Sequence, residues 1–138
     1  MRRTFSVAMA GLGLLLSTVP LVAHHAFASE FDATKPVQLK GTVTKMEWIN
    51  PHSWIHIDVK KPDGTVENWA VEAGAPNAMF RRGFRTDSLA PGTEVLVDGW
   101  LAKSKPLTAN GRNIKLPNGQ TLFVGSSGTG APEEPPSK

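Results

Sequence analysis

Residues 53–73 have the sequence SWIHIDVKKPDGTVENWAVEA, the pattern of two strands joined by a turn. Aliphatic residues occupy every second position from Ile55 to Val59, as expected for a strand with one face in a core. The Asp63–Gly64 pair between the two segments is typical of a tight hairpin. We therefore predict strands at about 53–61 and 66–73, with the aliphatic face of the first strand toward the core.

Further short apolar segments, separated by turn residues, lie on both sides of this hairpin. The full set of predicted strands lies at 39–49, 53–61, 66–73, 93–103, 112–116 and 120–125. Pro76 and Gly83 bound one predicted helix at 76–82. Along the first predicted strand the apolar residues change from one face to the other, which indicates a β-bulge near Thr44 or Lys45.

The predicted fold class is all-β with one short helix, a small OB-like barrel of five to six strands. The order of three strands, a helix and then further strands resembles the OB-fold, which is a partly open five-stranded barrel. This resemblance concerns the pattern of elements and carries no function with it.

The composition bounds the chemistry of the protein. The 138 residues include no cysteine, which excludes a disulfide framework, a thiolate nucleophile and a cysteine zinc site. The formal net charge is +3, but Arg2 and Arg3 belong to the amino-terminal leader. Without those two, thirteen of the fifteen basic side chains remain against twelve acidic ones. A nearly neutral domain has little electrostatic attraction for nucleic acid, so we predict no nucleic-acid partner.

The amino terminus has the features of a cleavable secretory signal. Two arginines precede an apolar run that is too short to span a membrane, and small residues follow. Cleavage after Ala23 has the usual spacing, whereas cleavage after Ala28 has the better small-residue pattern. We favour Ala23, and predict a periplasmic or secreted protein with no membrane span after processing.

The predicted organisation has four parts. A signal peptide at 1–23 precedes an N-terminal arm at 24–38, an OB-like domain at 39–125 and a tail at 126–138. The tail consists mostly of Gly, Ser, Pro and Glu, and we predict that it is disordered.

The four histidines are candidate metal ligands: His24, His25, His52 and His56. Imidazole binds copper and zinc, and a free terminal amine beside a histidine side chain can chelate copper. His52 and His56 share a strand face, but four residues at about 3.3 Å each place their Cα atoms roughly 13 Å apart. A site would need His24 or His25 from the arm, with Glu30 or Asp32 as possible oxygen ligands. The alternative for Asn50–Pro51–His52 is a turn without a ligand.

A candidate ligand surface lies on the face opposite the aliphatic one. It combines aromatic and polar side chains of the segment around the second predicted strand: Trp48, Asn50, His52, Trp54 and His56. The chain has no phosphate-binding glycine loop and no His-Glu-x-x-His motif, and adjacent His52 and Ser53 should point to opposite faces. We predict that the protein is not an enzyme.

Several short motifs resemble an exported bacterial family of unknown function. They are His24-His25-Ala26-Phe27, Glu30-Phe31-Asp32, Gly41-Thr42-Val43, Glu47-Trp48-Ile49-Asn50-Pro51-His52-Ser53-Trp54, Pro76-Asn77 and Asn110-Gly111-Arg112. The resemblance implies export and a small β domain, and brings no activity, ligand or cofactor with it. A family start at the double histidine would support cleavage after Ala23.

Three functions are compatible with these observations. The first is a periplasmic binding or accessory module for an unknown small ligand. The second is a copper or zinc protein that uses the N-terminal histidines. The third is a module that pairs only with other envelope proteins.

Overall fold

The computed structural model describes residues 27–126 and 131–132. Residues 27–30 are helical. The remaining elements are β1 (Phe31–Glu47), β2 (Trp54–Lys60), β3 (Val66–Glu72), α1 (Pro76–Arg81), β4 (Glu94–Ala102), β5 (Thr108–Lys115) and β6 (Thr121–Phe123). The prediction of an all-β fold of five to six strands with a short helix is confirmed.

Five of the strands close into a ring. The sheet has the order β3-β2-β1-β4-β5-β6, and an additional pairing joins β3 to β5. That closing contact is parallel and runs from Ala70↔Thr108 to Glu72↔Asn110, whereas the other pairings are antiparallel. Ring closure leaves β6 as the one described strand outside the ring, attached to β5.

Strand β1 is longer than predicted. It begins at Phe31, so the part of the predicted arm from residue 31 onward is strand. Residues 36–42 pair with β4, and the pairing is irregular between Phe31 and Pro36. The prediction missed this part because Pro36 and a weak apolar alternation obscure it. The bulge was predicted correctly, since the register with β2 shifts between Val43 and Lys45.

The alternation in β2 has the predicted consequence. Ile55 and Ile57 are fully buried in the main core inside the ring, and Val59 packs against that core. Met79 of α1 is fully buried in the same core. A second, smaller cluster forms outside it from Phe27, Phe31 and Trp100. The fold therefore buries apolar side chains on both faces of part of the sheet.

The turn between β2 and β3, inside the Lys61–Thr65 hydrogen bond, has three residues, one more than a two-residue turn. Lys60 pairs with Val66, and the Lys61 amide donates to the Thr65 carbonyl at 2.8 Å. Gly64 has a φ of 87°, a left-handed conformation that glycine adopts without strain. The register that follows places Glu72 opposite Trp54.

The chain ends are described only in part. The predicted signal peptide, the favoured cleavage site after Ala23, and His24 and His25 lie outside the described residues, as does most of the predicted disordered tail. Within that tail, Ala131 is half-buried and packs against the second cluster. Among the described residues, no helix is long and apolar enough to cross a membrane.

Candidate functional site

One row of side chains crosses the outer face of four neighbouring strands. Trp54 pairs with Glu72, Glu72 with Asn110, and Asn110 with Trp100. Directly paired residues place their side chains on the same face of a sheet. Their chain neighbours Ile55, Val71 and Ala109 are buried in the main core, so this row faces away from it.

The N-terminal segment, residues 27–31, covers one end of this row. The Phe27 ring meets Trp100 edge-on at 5.4 Å between ring centroids and stacks on Phe31 at 5.7 Å. The Lys103 amide donates to the Glu30 carbonyl at 2.8 Å, which ties the segment to the end of β4. Aromatic packing and this hydrogen bond together hold the Glu30 backbone beside the row.

A pocket of about 130 Å³ lies between the N-terminal segment and β2. Aromatic, hydroxyl and charged side chains all contribute to its wall. It is lined by Ser29, Glu30, Phe31, Trp54, Ala102, Ser104, Lys105 and Thr108. Three separate stretches of the chain, 29–31, 54 and 102–108, thus meet at one small concave surface, the Trp54 pocket.

Glu72 does not line the pocket itself, but it pairs with the lining residue Trp54 and is 8% exposed. Its carboxyl oxygen accepts a hydrogen bond from the Asn110 amide at 3.3 Å and lies 3.6 Å from Nδ1 of His52. Burial raises the pKa of Glu72, and the Glu30 charge acts in the same direction. His52, Asn110 and Lys105 oppose that rise. A nearly buried carboxyl group at the edge of an aromatic pocket is a typical feature of a functional site.

His52 joins this group from the bend before β2. Its Nδ1 lies 3.2 Å from the Ser126 hydroxyl as well as near Glu72. The preceding Asn50–Pro51 peptide bond is cis, and Asn50 is exposed. Of the predicted ligand residues, His52 and Trp54 therefore lie at the Trp54 pocket or next to it, while Asn50 does not line it.

The other two predicted ligand residues have different partners. Nε2 of His56 lies 2.7 Å from the Glu47 carboxylate, which also accepts a hydrogen bond from Lys45. The Lys45 bond, followed by the His56 bond, lowers the pKa of Glu47. Trp48 packs on Phe80 of α1 with ring centroids 4.9 Å apart. Neither His56 nor Trp48 lines the Trp54 pocket.

The predicted metal ligands are not brought together within the described part of the chain. His52 and His56 each contact a different carboxylate, Glu72 and Glu47 respectively. No group of three or more His, Asp or Glu side chains among residues 27–126 and 131–132 could hold a metal ion. His24 and His25 lie outside those residues, so their part in a metal site stays a prediction.

Several residues of the site were not among the predicted ligand residues. Glu72, Lys105 and Thr108 have no motif around them that marks a ligand site. Asn110 belongs to one of the family-like motifs, and this was the available signal. Glu30 was predicted only as a metal ligand, whereas it lines the Trp54 pocket with Phe31.

Fold and site define a small β-ring domain with an aromatic pocket and a nearly buried carboxyl group beside it. Residues 13–111 match a family described as a family of unknown function (DUF6152), and the chain belongs to that family. The matched range includes Phe27, Trp54, Glu72 and Asn110. No curated protein and no solved structure matches the chain.

Proposed function

We propose that this protein is an exported, non-enzymatic module that binds a small ligand in the Trp54 pocket. The observation that carries the proposal is the nearly buried carboxyl group of Glu72, which is paired with Trp54 of the pocket wall. A carboxyl group that serves stability alone is seldom kept away from water with few partners, because burial disfavours its charged form.

The architecture gives further support. A five-strand ring with a helix between β3 and β4 is compatible with an OB-like domain, and the faces and loops of such domains bind ligands. Ligand pockets combine apolar or aromatic walls with polar groups that converge on the ligand. The Trp54 pocket has two aromatic rings beside hydroxyl and charged groups.

Binding rather than catalysis is favoured by the positions of His52 and Ser53. The Ser53 hydroxyl is buried and has no hydrogen-bond partner among the described residues, while His52 contacts Glu72 and Ser126. A serine nucleophile needs a base within hydrogen-bond reach. His52 and Ser53 do not form such a pair, so we assign them no joint catalytic role.

Export is proposed from the leader sequence. Expression in a bacterial host followed by intact-mass measurement of the envelope fraction tests it. We expect the mass of a chain that begins at His24. The mass of the full chain in the cytoplasm would contradict export.

Ligand binding is tested with a library of small metabolites and the thermal unfolding midpoint, Tm. A compound that binds the folded state raises Tm. We expect such compounds to raise the Tm of the unmodified protein and of the control variant Trp48→Ala, but not of Trp54→Ala. If no compound raises Tm, or if Trp54→Ala responds like Trp48→Ala, the proposed function is wrong.

Copper or zinc binding is the second candidate function. It is favoured by one observation: the segment that carries Phe27 packs on the same face as Glu72 and close to the row that His52 joins. A copper titration of the exported protein compares His25→Ala and His52→Ala with the control His56→Ala. Equal affinity in all three variants and the unmodified protein would remove this candidate.

A further inference from the structure

We propose that the Trp54 pocket selects a small organic cation, an alkylammonium compound whose charge is held near Glu30 and Glu72. This inference rests on the proposed function, because it names the chemical class of the ligand for the same pocket. It is carried by the different solvent exposure of the charged side chains around the pocket and by the aromatic residues in its lining.

The charges around the Trp54 pocket differ in their exposure to water. The Glu72 side chain is 10% exposed, whereas the side chains of Lys105 and Glu30 are 64% and 54% exposed. The Lys105 ammonium and the Glu30 carboxylate are 4.0 Å apart, a loose contact between two exposed groups. Water and salt screen exposed charges strongly and a nearly buried carboxylate much less. The less screened charge at this site is therefore negative, which favours a cation over an anion.

The aromatic lining acts in the same direction. Trp54 and Phe31 both line the pocket. A cation within about 6 Å of an aromatic ring is attracted to the negative face of the ring, and tryptophan attracts it most strongly. An alkyl chain attached to the ammonium would bury its carbon atoms against the same two rings. A carboxylate ligand would lack this attraction and would be repelled by Glu30 and Glu72.

Cation binding should be linked to the ionisation of Glu72. The groups that act on this carboxyl are His52 from the bend before β2, Asn110 from β5, Glu30 from the N-terminal segment and Lys105 from the loop before β5. Burial raises the pKa of Glu72 in the free protein. A bound cation favours the ionised form and lowers the pKa of Glu72. At pH values near the raised pKa of the free protein, binding therefore releases a proton. Affinity should accordingly increase as the pH rises through this range.

The test is isothermal titration calorimetry of the exported protein with three probes of matched size: butylammonium, butyrate and butanol. We expect butylammonium to bind most tightly. Glu72→Gln and Glu30→Gln should each weaken its binding about tenfold, because each removes a charged partner of the ammonium. The control Glu94→Gln, at an exposed position of β4, should bind as the unmodified protein does.

A second readout separates a ligand contact from a structural effect. The butylammonium titration is repeated in buffers of different ionisation enthalpy, which reports the number of protons released. We expect proton release in the unmodified protein and in Glu30→Gln, and less release in Glu72→Gln. A variant whose only defect is a disturbed fold would lose affinity for butanol as well. Those molecules of the variant that still bind butylammonium would release protons.

The outcomes distinguish this inference from the proposed function. Equal butylammonium affinity in the unmodified protein and Glu72→Gln, or tighter binding of butyrate, would overturn the cation assignment. If that butyrate binding is lost in Trp54→Ala, the pocket still binds a small ligand and the proposed function stands. Failure of the proposed function itself is the metabolite result in which Trp54→Ala responds like Trp48→Ala.

Discussion

At the scale of single residues, Glu72 is placed where stability and binding make opposite demands. Because burial raises its pKa, the folded state holds the Glu72 proton more tightly than the unfolded chain does. Stability therefore falls as the pH rises from the usual value of 4.5 through the raised value. Above that range, folding must keep an ionised carboxylate largely away from water.

The variant Glu72→Gln tests this conflict. Glutamine keeps the shape of the side chain without its charge, so we expect the variant to be more stable than the unmodified protein at pH 8. The difference should vanish well below pH 4.5, where Glu72 is protonated in both states. Urea unfolding across this pH range measures it, with Glu94→Gln as the exposed control. A variant that is less stable at pH 8 would show that the Glu72 charge is well satisfied in the fold.

At the scale of elements, the contribution of α1 depends on one side chain. Met79 is 0% exposed and packs in the main core, whereas its neighbour Phe80 is 41% exposed. We expect Met79→Ala to lose about 2–5 kcal/mol of unfolding free energy, as large-to-small core changes do. Phe80→Ala removes a partly exposed ring that packs on Trp48, and should lose about 1 kcal/mol or less. Denaturant unfolding measures both, and equal losses would show that the contribution of α1 does not depend on Met79.

The hairpin between β2 and β3 shows which structural features local sequence patterns predict and which they do not. Apolar alternation and Asp63–Gly64 predict both strands and the turn between them, because these features depend on neighbouring residues alone. A two-residue turn at that pair would place Ala73 opposite Trp54. The longer loop that forms instead places Glu72 there. One residue of loop length decides which face a strand residue occupies, and composition does not specify it.

At the scale of the whole molecule, only part of the site could be predicted from sequence. Ring closure pairs Ala70 with Thr108, and the N-terminal segment packs on Trp100 of β4. These contacts join parts of the chain that are far apart in sequence, and no local pattern encodes them. Alternation along β2 placed Trp54 on the face away from the main core, whereas its neighbours Glu72, Lys105 and Thr108 come from other elements. That this surface binds a ligand stays a prediction.

The same long-range contacts predict how the pocket can be opened without unfolding the ring. Phe27→Ala removes the ring that joins Phe31 and Trp100, so the N-terminal segment should detach locally. We expect faster hydrogen exchange at the Lys103 amide, which donates to the Glu30 carbonyl. The amide of Val97, in the middle of β4, should exchange at its original rate. Equal acceleration at both amides would show that the segment and the ring unfold together.

The most direct test of the central claim, that ligand binds at the Trp54 pocket, uses the four tryptophans as reporters. Each indole N–H gives its own signal in the NMR spectrum of isotope-labelled protein, and the Trp54→Phe variant assigns one of them. Titration with a metabolite that raises Tm should shift the Trp54 signal and leave that of Trp48 unchanged. A shifted Trp48 signal beside an unchanged Trp54 signal would place the ligand at the Trp48–Phe80 contact and contradict the claim.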